Sequence, residues 1–213
     1  MIITHPLYIA PIPLYVHLYA HKEVFIDGDS SFVKQTFRNR ATIATENGTQ
    51  SLTIPVIHDG RQPMRDVRIS EHGNWRHLHW NALASAYRKS PFFDYYADDF
   101  AHFYEERNGF LMDFNLRLHH MVCELINLEH TCTILDESAM EREKNSITDL
   151  RCLAEPKCIA DGPQPHTAPY YQVFALRNGF IKNLSIVDLL FNMGPEALLV
   201  LRDTCNNAKT ALL

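Results

Sequence analysis

Three basic side chains with regular spacing could bind an anion. They lie in the segment VKQTFRNR, residues 33–40 of a chain with a formal net charge of −5, and they are Lys34, Arg38 and Arg40. As a β-strand that continues to Ile43, the segment buries Val33 and Phe37 on one face and displays the cations on the other. A guanidinium group binds phosphate or carboxylate through a planar fork of donors, so this row predicts an anion site.

Two side chains near the start of the chain could act on the same substrate. His5 is predicted to contact the substrate or to transfer a proton, because histidine changes charge near neutral pH. Tyr8 is predicted to stack or to hydrogen-bond in the same loop, and Asn39 to hydrogen-bond beside the cations. Structural roles are the alternatives: a solvated basic face paired with acids such as Asp66, a structural histidine, and core packing for the tyrosine.

The elements that must position these residues begin with a compact β-α-β unit. Residues 1–4 and 23–27 read as strands, joined by a proline-containing loop and a helix. Ligands of such units bind beyond the carboxyl ends of the strands. Those ends carry the first loop, with His5 and Tyr8, and the turn after the second strand, with Asp27 and Asp29.

The rest of the chain predicts a β-hairpin followed by helices. Asn47-Gly48 indicates a hairpin turn, with a return strand from Ser51 to Val56. Trp75 to Arg88 has helical periodicity and places Trp75 and His79 on one face, as core residues or as substrate contacts. Further helices are predicted near Asp98, over 111–127 and over 184–193, and Ser185 with Asp188 resembles a capping box at the last of these.

These elements predict an α/β fold: an N-terminal β-α-β unit with a mixed sheet and a β-hairpin, then a helical middle and C-terminal part. Residues 1–213 are predicted to form a single domain. Residues 136–182 contain four prolines and little periodicity, which predicts an irregular segment.

Composition argues against several classes of protein. The slightly acidic total argues against nucleic-acid binding. Residues 1–21 lack Asp, Glu, Lys and Arg, but their prolines and histidines argue against a membrane span. The five cysteines are odd in number and include no CxxC pair, which predicts free thiols in the cytoplasm.

The sequence predicts no metal site. His77 and His79 are two residues apart on a predicted helix and point in different directions, and the adjacent His119 and His120 also diverge. Neither an HExxH motif nor a Cys–His zinc spacing occurs. Glycine-rich phosphate loops are also missing, and the sequence leaves the cofactor open.

Several longer motifs together resemble the WbqC-like protein family, in the branch that is common in Bacteroidetes. These motifs cover nearly the whole chain and are HPLYIAPIPLY, SFVKQTFRNR, NWRHLHWNALASAY, SPFFDYY and GFIKNLSIVDLLFNMGPE. The family name comes from bacterial polysaccharide biosynthesis clusters, so the resemblance implies work on activated sugars or their lipid-linked products. The chain departs from the family at His5, where members often have Gln, and at residues 150–170, which are short and proline-rich.

The combined prediction is a cytoplasmic enzyme of cell-surface polysaccharide or sugar-nucleotide metabolism, possibly a group transferase. Its partner would be an anionic small molecule or a sugar nucleotide. His5 and Tyr8 are the predicted catalytic residues, and the predicted substrate-binding residues are Lys34, Arg38, Asn39, Arg40, Trp75 and His79. The alternative is a non-catalytic module that binds an acidic glycan or a biosynthetic partner. Substrate, reaction and oligomeric state stay open.

Overall fold

A parallel β-sheet pairs two strands from the start of the chain with two strands from residues 131–149. The computed structural model describes residues 1–107, 109–135, 147–162 and 167–210. Its largest sheet has four strands, all parallel, in the order β7-β2-β1-β8. The strands are β1 (Ile2–Thr4), β2 (Glu23–Ile26), β7 (Thr131–Ile134) and β8 (Thr148–Asp149).

Helix α1 (Ile12–Ala20) connects β1 to β2 and confirms the predicted β-α-β unit. Pro11 and Pro13 sit at its N-terminus, where a missing N–H costs no helical hydrogen bond. Most residues of α1 are buried, so the helix is apolar on nearly every side. It therefore forms part of the core that covers the sheet.

The predicted hairpin is also present. It joins β3 (Arg40–Thr45) to β4 (Gly48–Thr53), and Gly48 has a φ of 112° directly after the turn. Such a φ favours glycine because a Cβ would be strained there. A second antiparallel pair joins β5 (Val56–Ile57) to β6 (Arg68–Ile69), so the architecture is α/β, as the sequence predicts.

The strand predicted to start at Val33 is wrong over its first seven residues, which form turns. Gln35 has a φ of 61°, and the Thr36 hydroxyl donates to the Val33 carbonyl oxygen at 2.8 Å. This local bond offers the backbone an alternative to strand pairing. The Phe37 N–H donates to the carbonyl oxygen of Ala154 at 2.8 Å, which ties the turn to a distant part of the chain.

The helices follow the predicted order with shifted ends. Helix α2 begins at Trp75 as predicted, while α3 begins five residues before Asp98. The bounds are α2 (Trp75–Tyr87), α3 (Phe93–Glu105), α4 (Leu111–Leu125), α5 (Pro156–Asp161), α6 (Ala175–Asn178), α7 (Ile186–Met193) and α8 (Ala197–Thr210). Short 3-10 helices span Met64–Asp66, Arg151–Ala154 and Gly194–Glu196.

The segment predicted to be irregular contains β8, a 3-10 helix, α5 and α6 in its described parts, while residues 136–146 and 163–166 lie outside the described residues. Within the described ranges, none of the helices has the length and apolar character needed to cross a membrane.

Helix α7 lies at the centre of the helical layer, with every residue from Ile186 to Asn192 buried. Gly194 ends it with a φ of 53°, and a Cβ there would lie 2.4 Å from the ring of Phe92. Only glycine allows the chain to turn this close to the aromatic ring. The end of α7 is therefore fixed both by backbone conformation and by packing.

Candidate functional site

The carboxyl ends of three neighbouring parallel strands bring charged and polar side chains together. His5 follows β1, Asp27 follows β2, and Arg151 follows β8. Parallel strands end at the same edge of a sheet, so residues far apart in sequence meet there. The first two positions are the strand ends that the sequence predicts. Arg151 falls in the segment predicted to be irregular.

Asp27 is the most heavily hydrogen-bonded side chain of this edge. Its Oδ1 accepts from the backbone N–H groups of Asp29 at 3.1 Å and Ser30 at 3.0 Å. Its Oδ2 accepts from the Ser30 hydroxyl and from Nη1 of Arg151 at 2.9 Å. Burial alone would raise the pKa of Asp27, but the hydrogen bonds from Ser30 and Arg151 outweigh it and lower the pKa to about 2. Asp27 is thus an anion at neutral pH.

Arg151 connects the end of β2 to the end of β8, the two strands that lie on either side of β1. Its guanidinium contacts Asp27 on one side and both carboxylate oxygens of Asp149 on the other, with Nη2 to Oδ2 at 2.7 Å. The side chain of Arg151 is 34% exposed and that of Asp149 is 52% exposed. This cation is therefore accessible from solvent, unlike most of the cluster.

His5 is buried behind this network and is neutral. Its Nδ1 lies 3.3 Å from the Asp27 carbonyl oxygen, which can only accept, so Nδ1 carries the hydrogen and Nε2 keeps its lone pair. Burial, followed by the positive charge of Arg38, lowers the pKa of His5 to about 4. The ring is therefore neutral at neutral pH, and its Nε2 can accept a proton.

Arg38 reaches the same region from the turn before β3. Its guanidinium is buried, with Nη1 2.9 Å from Glu155 and 3.2 Å from the Thr36 hydroxyl. Its Nε has no hydrogen-bond partner among the described residues, and neither does Oδ1 of the fully buried Asn115, whose Nδ2 donates to the Arg38 carbonyl oxygen. Buried polar atoms without partners commonly face a water or a ligand.

The basic row does not form one displayed face. Lys34 is exposed in the turn, Arg38 is buried and paired with Glu155, and Arg40 is half-buried with its Nε 3.3 Å from the Thr53 hydroxyl. Val33 is 45% exposed although the strand prediction buried it, whereas Phe37 is buried as expected. The alternation that predicted a strand is interrupted by the turn, so the cations have three different surroundings.

Asn39 does not lie beside exposed cations, where the sequence predicts it. Its side chain makes a structural hydrogen bond instead. Its Nδ2 donates to the Ile54 carbonyl oxygen at 3.0 Å, and the residue is buried. This bond holds the turn against the end of the hairpin. A role in substrate binding stays a prediction for Asn39.

Tyr8, Trp75 and His79 form a buried aromatic group together with Tyr104. The Tyr8 hydroxyl lies 2.8 Å from Nδ1 of His79 and 2.5 Å from the Tyr104 hydroxyl. The rings of Trp75 and His79 meet edge to face at 5.2 Å. Burial lowers the pKa of His79 to about 4, against a backbone hydrogen bond with Thr53 that raises it. The contacts of Tyr8 therefore favour the structural alternative.

A ligand-sized cleft of about 370 Å³ opens on the outer side of this aromatic group. Trp75, Trp80, Tyr104 and Arg76 are among the residues that line it. The Arg76 guanidinium lies 4.5 Å from the Trp75 ring and pairs with Glu71 at 2.6 Å. The volume of the cleft falls within the usual range of about 300–1,000 Å³ for small-molecule sites.

The predicted capping role of Asp188 is wrong. Ser185 precedes α7, but its Oγ accepts from the Thr42 N–H, and the Asp188 carboxylate turns inward. There it accepts from the Tyr170 hydroxyl at 2.6 Å and from the Gln172 amide at 3.0 Å. Burial raises the pKa of Asp188 to about 6, although the hydrogen bonds oppose this. This buried carboxylate holds the segment before α6 onto α7.

Comparison with known proteins places the chain in a family. The profile of the WbqC-like protein family matches residues 6–156, which include Tyr8, Asp27, Arg38 and Arg151. The curated "Uncharacterized protein Rv1507c" of Mycobacterium tuberculosis is 29% identical, over 82% of this chain and 85% of the relative. No solved structure matches the chain significantly. Because the family profile covers more than half of the chain, the protein belongs to the WbqC-like protein family.

Proposed function

We propose that the protein is an enzyme that transfers a group to or from a substrate carrying a phosphate or carboxylate. The observation that carries this proposal is the hydrogen-bonded cluster of His5, Asp27 and Arg151 at the carboxyl edge of the parallel sheet. Ligands of open α/β sheets bind at this edge. The cluster also contains two shifted pKa values, those of His5 and Asp27, and shifted pKa values are common at catalytic sites.

The residues of the edge divide into two roles. Arg151, with Arg38 behind it, attracts and orients the substrate anion, since guanidinium groups bind phosphate and carboxylate in fixed geometry. As an acceptor hydroxyl or amine bonds to the transferred group, His5 takes its proton at Nε2, and the bond from that group to the phosphate or carboxylate breaks, so that the leaving group departs as an anion held by Arg151 and Arg38. Asp27 positions Arg151. A bound anion would favour the imidazolium form of His5, so substrate binding would make this ring a stronger base.

Three charged side chains of the site are partly exposed, and the substrate reaches the site past them. These are Arg151, Asp149 and Glu155, with side chains 34%, 52% and 43% exposed. Glu155 pairs with Arg38 through one oxygen at 2.9 Å, so an incoming anion can replace it as the partner of that guanidinium. An anion that exchanges for a carboxylate in this way binds without leaving a buried cation unpaired.

The proposed setting is cell-surface polysaccharide or sugar-nucleotide metabolism in the cytoplasm. The family supports it through its association with bacterial polysaccharide clusters. None of the five cysteines, all of which lie in the described part of the chain, forms a disulfide, which is typical of a reducing compartment. A phosphorylated or nucleotide-linked sugar fits a site with two guanidinium groups and a neutral histidine.

Anion binding should depend on Arg151 and not on Lys34. We expect Arg151→Gln to weaken binding of a nucleotide sugar by about 10- to 100-fold, since a charged hydrogen bond contributes about 1.5–3 kcal/mol. Lys34→Gln should bind like wild type, because that side chain lies exposed in the turn. Calorimetry measures the affinity of wild type and of both variants for inorganic phosphate, nucleoside diphosphates, nucleotide sugars and dicarboxylates. Added salt should weaken the binding of each anion, because it screens charge interactions.

His5→Gln separates binding from catalysis. It should keep the affinity for the anion within a few fold and lose turnover, because glutamine has no basic nitrogen. Equal affinity in wild type and Arg151→Gln would refute the anion site. Full turnover by His5→Gln would refute the role of His5 as a base.

A second candidate is a non-catalytic module that binds an acidic glycan or a biosynthetic partner. The cleft beside Trp75 favours it, since aromatic rings and the Arg76 guanidinium line a volume of about 370 Å³. In that case Trp80→Ala would weaken binding, Arg151→Gln would not, and no ligand would be converted.

A further inference from the structure

Four nitrogen and sulfur donors meet where α4 contacts β7. His119 and Cys123 lie four residues apart on α4, and Cys132 lies on β7, two residues after His130. A spacing of four on a helix and of two along an extended chain places each pair on one face. The contact between α4 and the edge strand then brings the two pairs together.

Nε2 of His119 lies close to each of the other three donors, at distances near those of a tetrahedral metal site for the two sulfur atoms and shorter for the second nitrogen. Nε2 of His119 lies 2.9 Å from Nε2 of His130, 3.7 Å from Sγ of Cys123 and 3.8 Å from Sγ of Cys132. The donor atoms of His119, Cys123 and His130 all lie within 4.8 Å of one another. With Zn–N of about 2.05 Å and Zn–S of about 2.3 Å, tetrahedral geometry separates two nitrogens by about 3.3 Å and nitrogen from sulfur by about 3.6 Å.

The outer contacts of both imidazoles are those expected of metal ligands. Nδ1 of His130 lies 3.4 Å from the Leu128 carbonyl oxygen, which only accepts, so the lone pair of His130 is on Nε2. Nδ1 of His119 lies 3.4 Å from the Tyr15 hydroxyl. When His119 donates to that hydroxyl, two nitrogen lone pairs face each other at 2.9 Å, an arrangement that a bound cation would stabilise.

A chain of hydrogen bonds is the alternative without a metal. The Tyr15 hydroxyl would donate to Nδ1 of His119, and Nε2–H of His119 would donate to Nε2 of His130. This chain gives no reason for two sulfur atoms within 4 Å of the same nitrogen. A mixed set of two imidazoles and two thiolates is typical of structural zinc.

We infer that His119, Cys123, His130 and Cys132 bind one zinc ion in a closed tetrahedral site that fastens α4 to β7. Strand β7 has four residues, of which three are exposed, and it pairs with β2 along one edge. Such a strand buries little apolar surface, so a metal link adds a constraint that side-chain packing does not supply. This inference does not depend on the proposed anion site.

Cobalt titration of the full-length protein tests the site directly. The protein is reduced, stripped with a chelator and titrated with Co²⁺, which reports tetrahedral thiolate ligation by its absorption. We expect one equivalent to bind with thiolate-to-cobalt charge transfer, and Zn²⁺ to displace it and raise the melting temperature. A wild-type protein that shows no charge transfer at one equivalent overturns the inference.

Ligand variants locate the ion. Cys132→Ser and His130→Gln should each weaken Co²⁺ binding by more than about 100-fold, because outer contacts alone are worth about 10- to 100-fold. His120→Gln is the matched histidine control, since this neighbour of His119 is exposed. The double variant Cys152→Ser/Cys158→Ser is the thiol control, because those sulfur atoms lie 2.8 Å apart. Charge transfer that disappears only in the thiol control assigns the ion to Cys152 and Cys158 and overturns the site.

Discussion

Replacement of Asp188 by leucine is expected to lower the free energy of unfolding by about 3 kcal/mol at pH 7. Leucine removes the acceptor of the Tyr170 hydroxyl and of one Gln172 hydrogen bond, both of them buried. Each buried donor left without a partner costs about 1–3 kcal/mol. Relief from burying a charge offsets part of this loss, since burial raises the pKa of Asp188 to about 6. Urea denaturation measures the difference.

Asp188→Asn is the matched control for that variant. Asparagine keeps the shape and an acceptor oxygen but carries no charge, so its expected loss is below about 1 kcal/mol. A buried charge can also be replaced by a well-packed apolar side chain without loss of stability. A leucine variant as stable as the asparagine variant would therefore show that the hydrogen bonds to Tyr170 and Gln172 contribute nothing net.

Acid should destabilise the protein between pH 6.5 and pH 4 through His5 and His79. Burial lowers the pKa of each to about 4 from 6.5, so the folded state favours the neutral rings. Their contribution to stability is complete above pH 6.5 and is lost as the pH falls through 4. A shift of this size corresponds to about 3 kcal/mol for each ring. Asp188 acts in the opposite direction, because its raised pKa makes it favourable to protonate as the pH falls through 6.

A glutamine variant isolates each histidine from the other titrating groups. The unfolding free energy of His79→Gln minus that of wild type should increase by about 3 kcal/mol from pH 6.5 to pH 4, and His5→Gln should behave alike. The control for the substitution itself is His77→Gln, whose side chain is exposed on the same helix. A constant difference for His79→Gln would show that its ring titrates in the folded state as it does in the unfolded chain.

The features with a local sequence signal could be predicted. The β-α-β unit, the hairpin at Asn47-Gly48, helix α2 and the strand ends at His5 and Asp27 all follow from short patterns of apolar and turn residues. The turn at 33–39 could not be predicted in this way, because its alternating pattern is that of a strand. Contacts with Ala154 and a side-chain bond from Thr36 decide its conformation.

The missed site residues depend on pairing between distant segments. Arg151 reaches Asp27 only because β8, a strand of two residues, pairs with β1. A strand this short has no detectable periodicity. His119 and Cys123 do have helical spacing, and His130 and Cys132 have strand spacing, so each half of the proposed zinc site carried a signal. Their meeting depends on how α4 contacts β7, and no pattern within either segment specifies that contact.

The strand order has a consequence for synthesis on the ribosome. Strands β1 and β2 are complete by Ile26, but their outer neighbours begin only at Thr131 and Thr148. Ribosomes add about 5–20 residues per second, so the outer edge of β2 stays unpaired for roughly 5–21 seconds and the outer edge of β1 for roughly 6–24 seconds. Unpaired edges recruit strands from other chains, which makes the nascent β1–β2 pair a substrate for chaperones. The cluster of His5, Asp27 and Arg151 then assembles only after β8 has paired with β1.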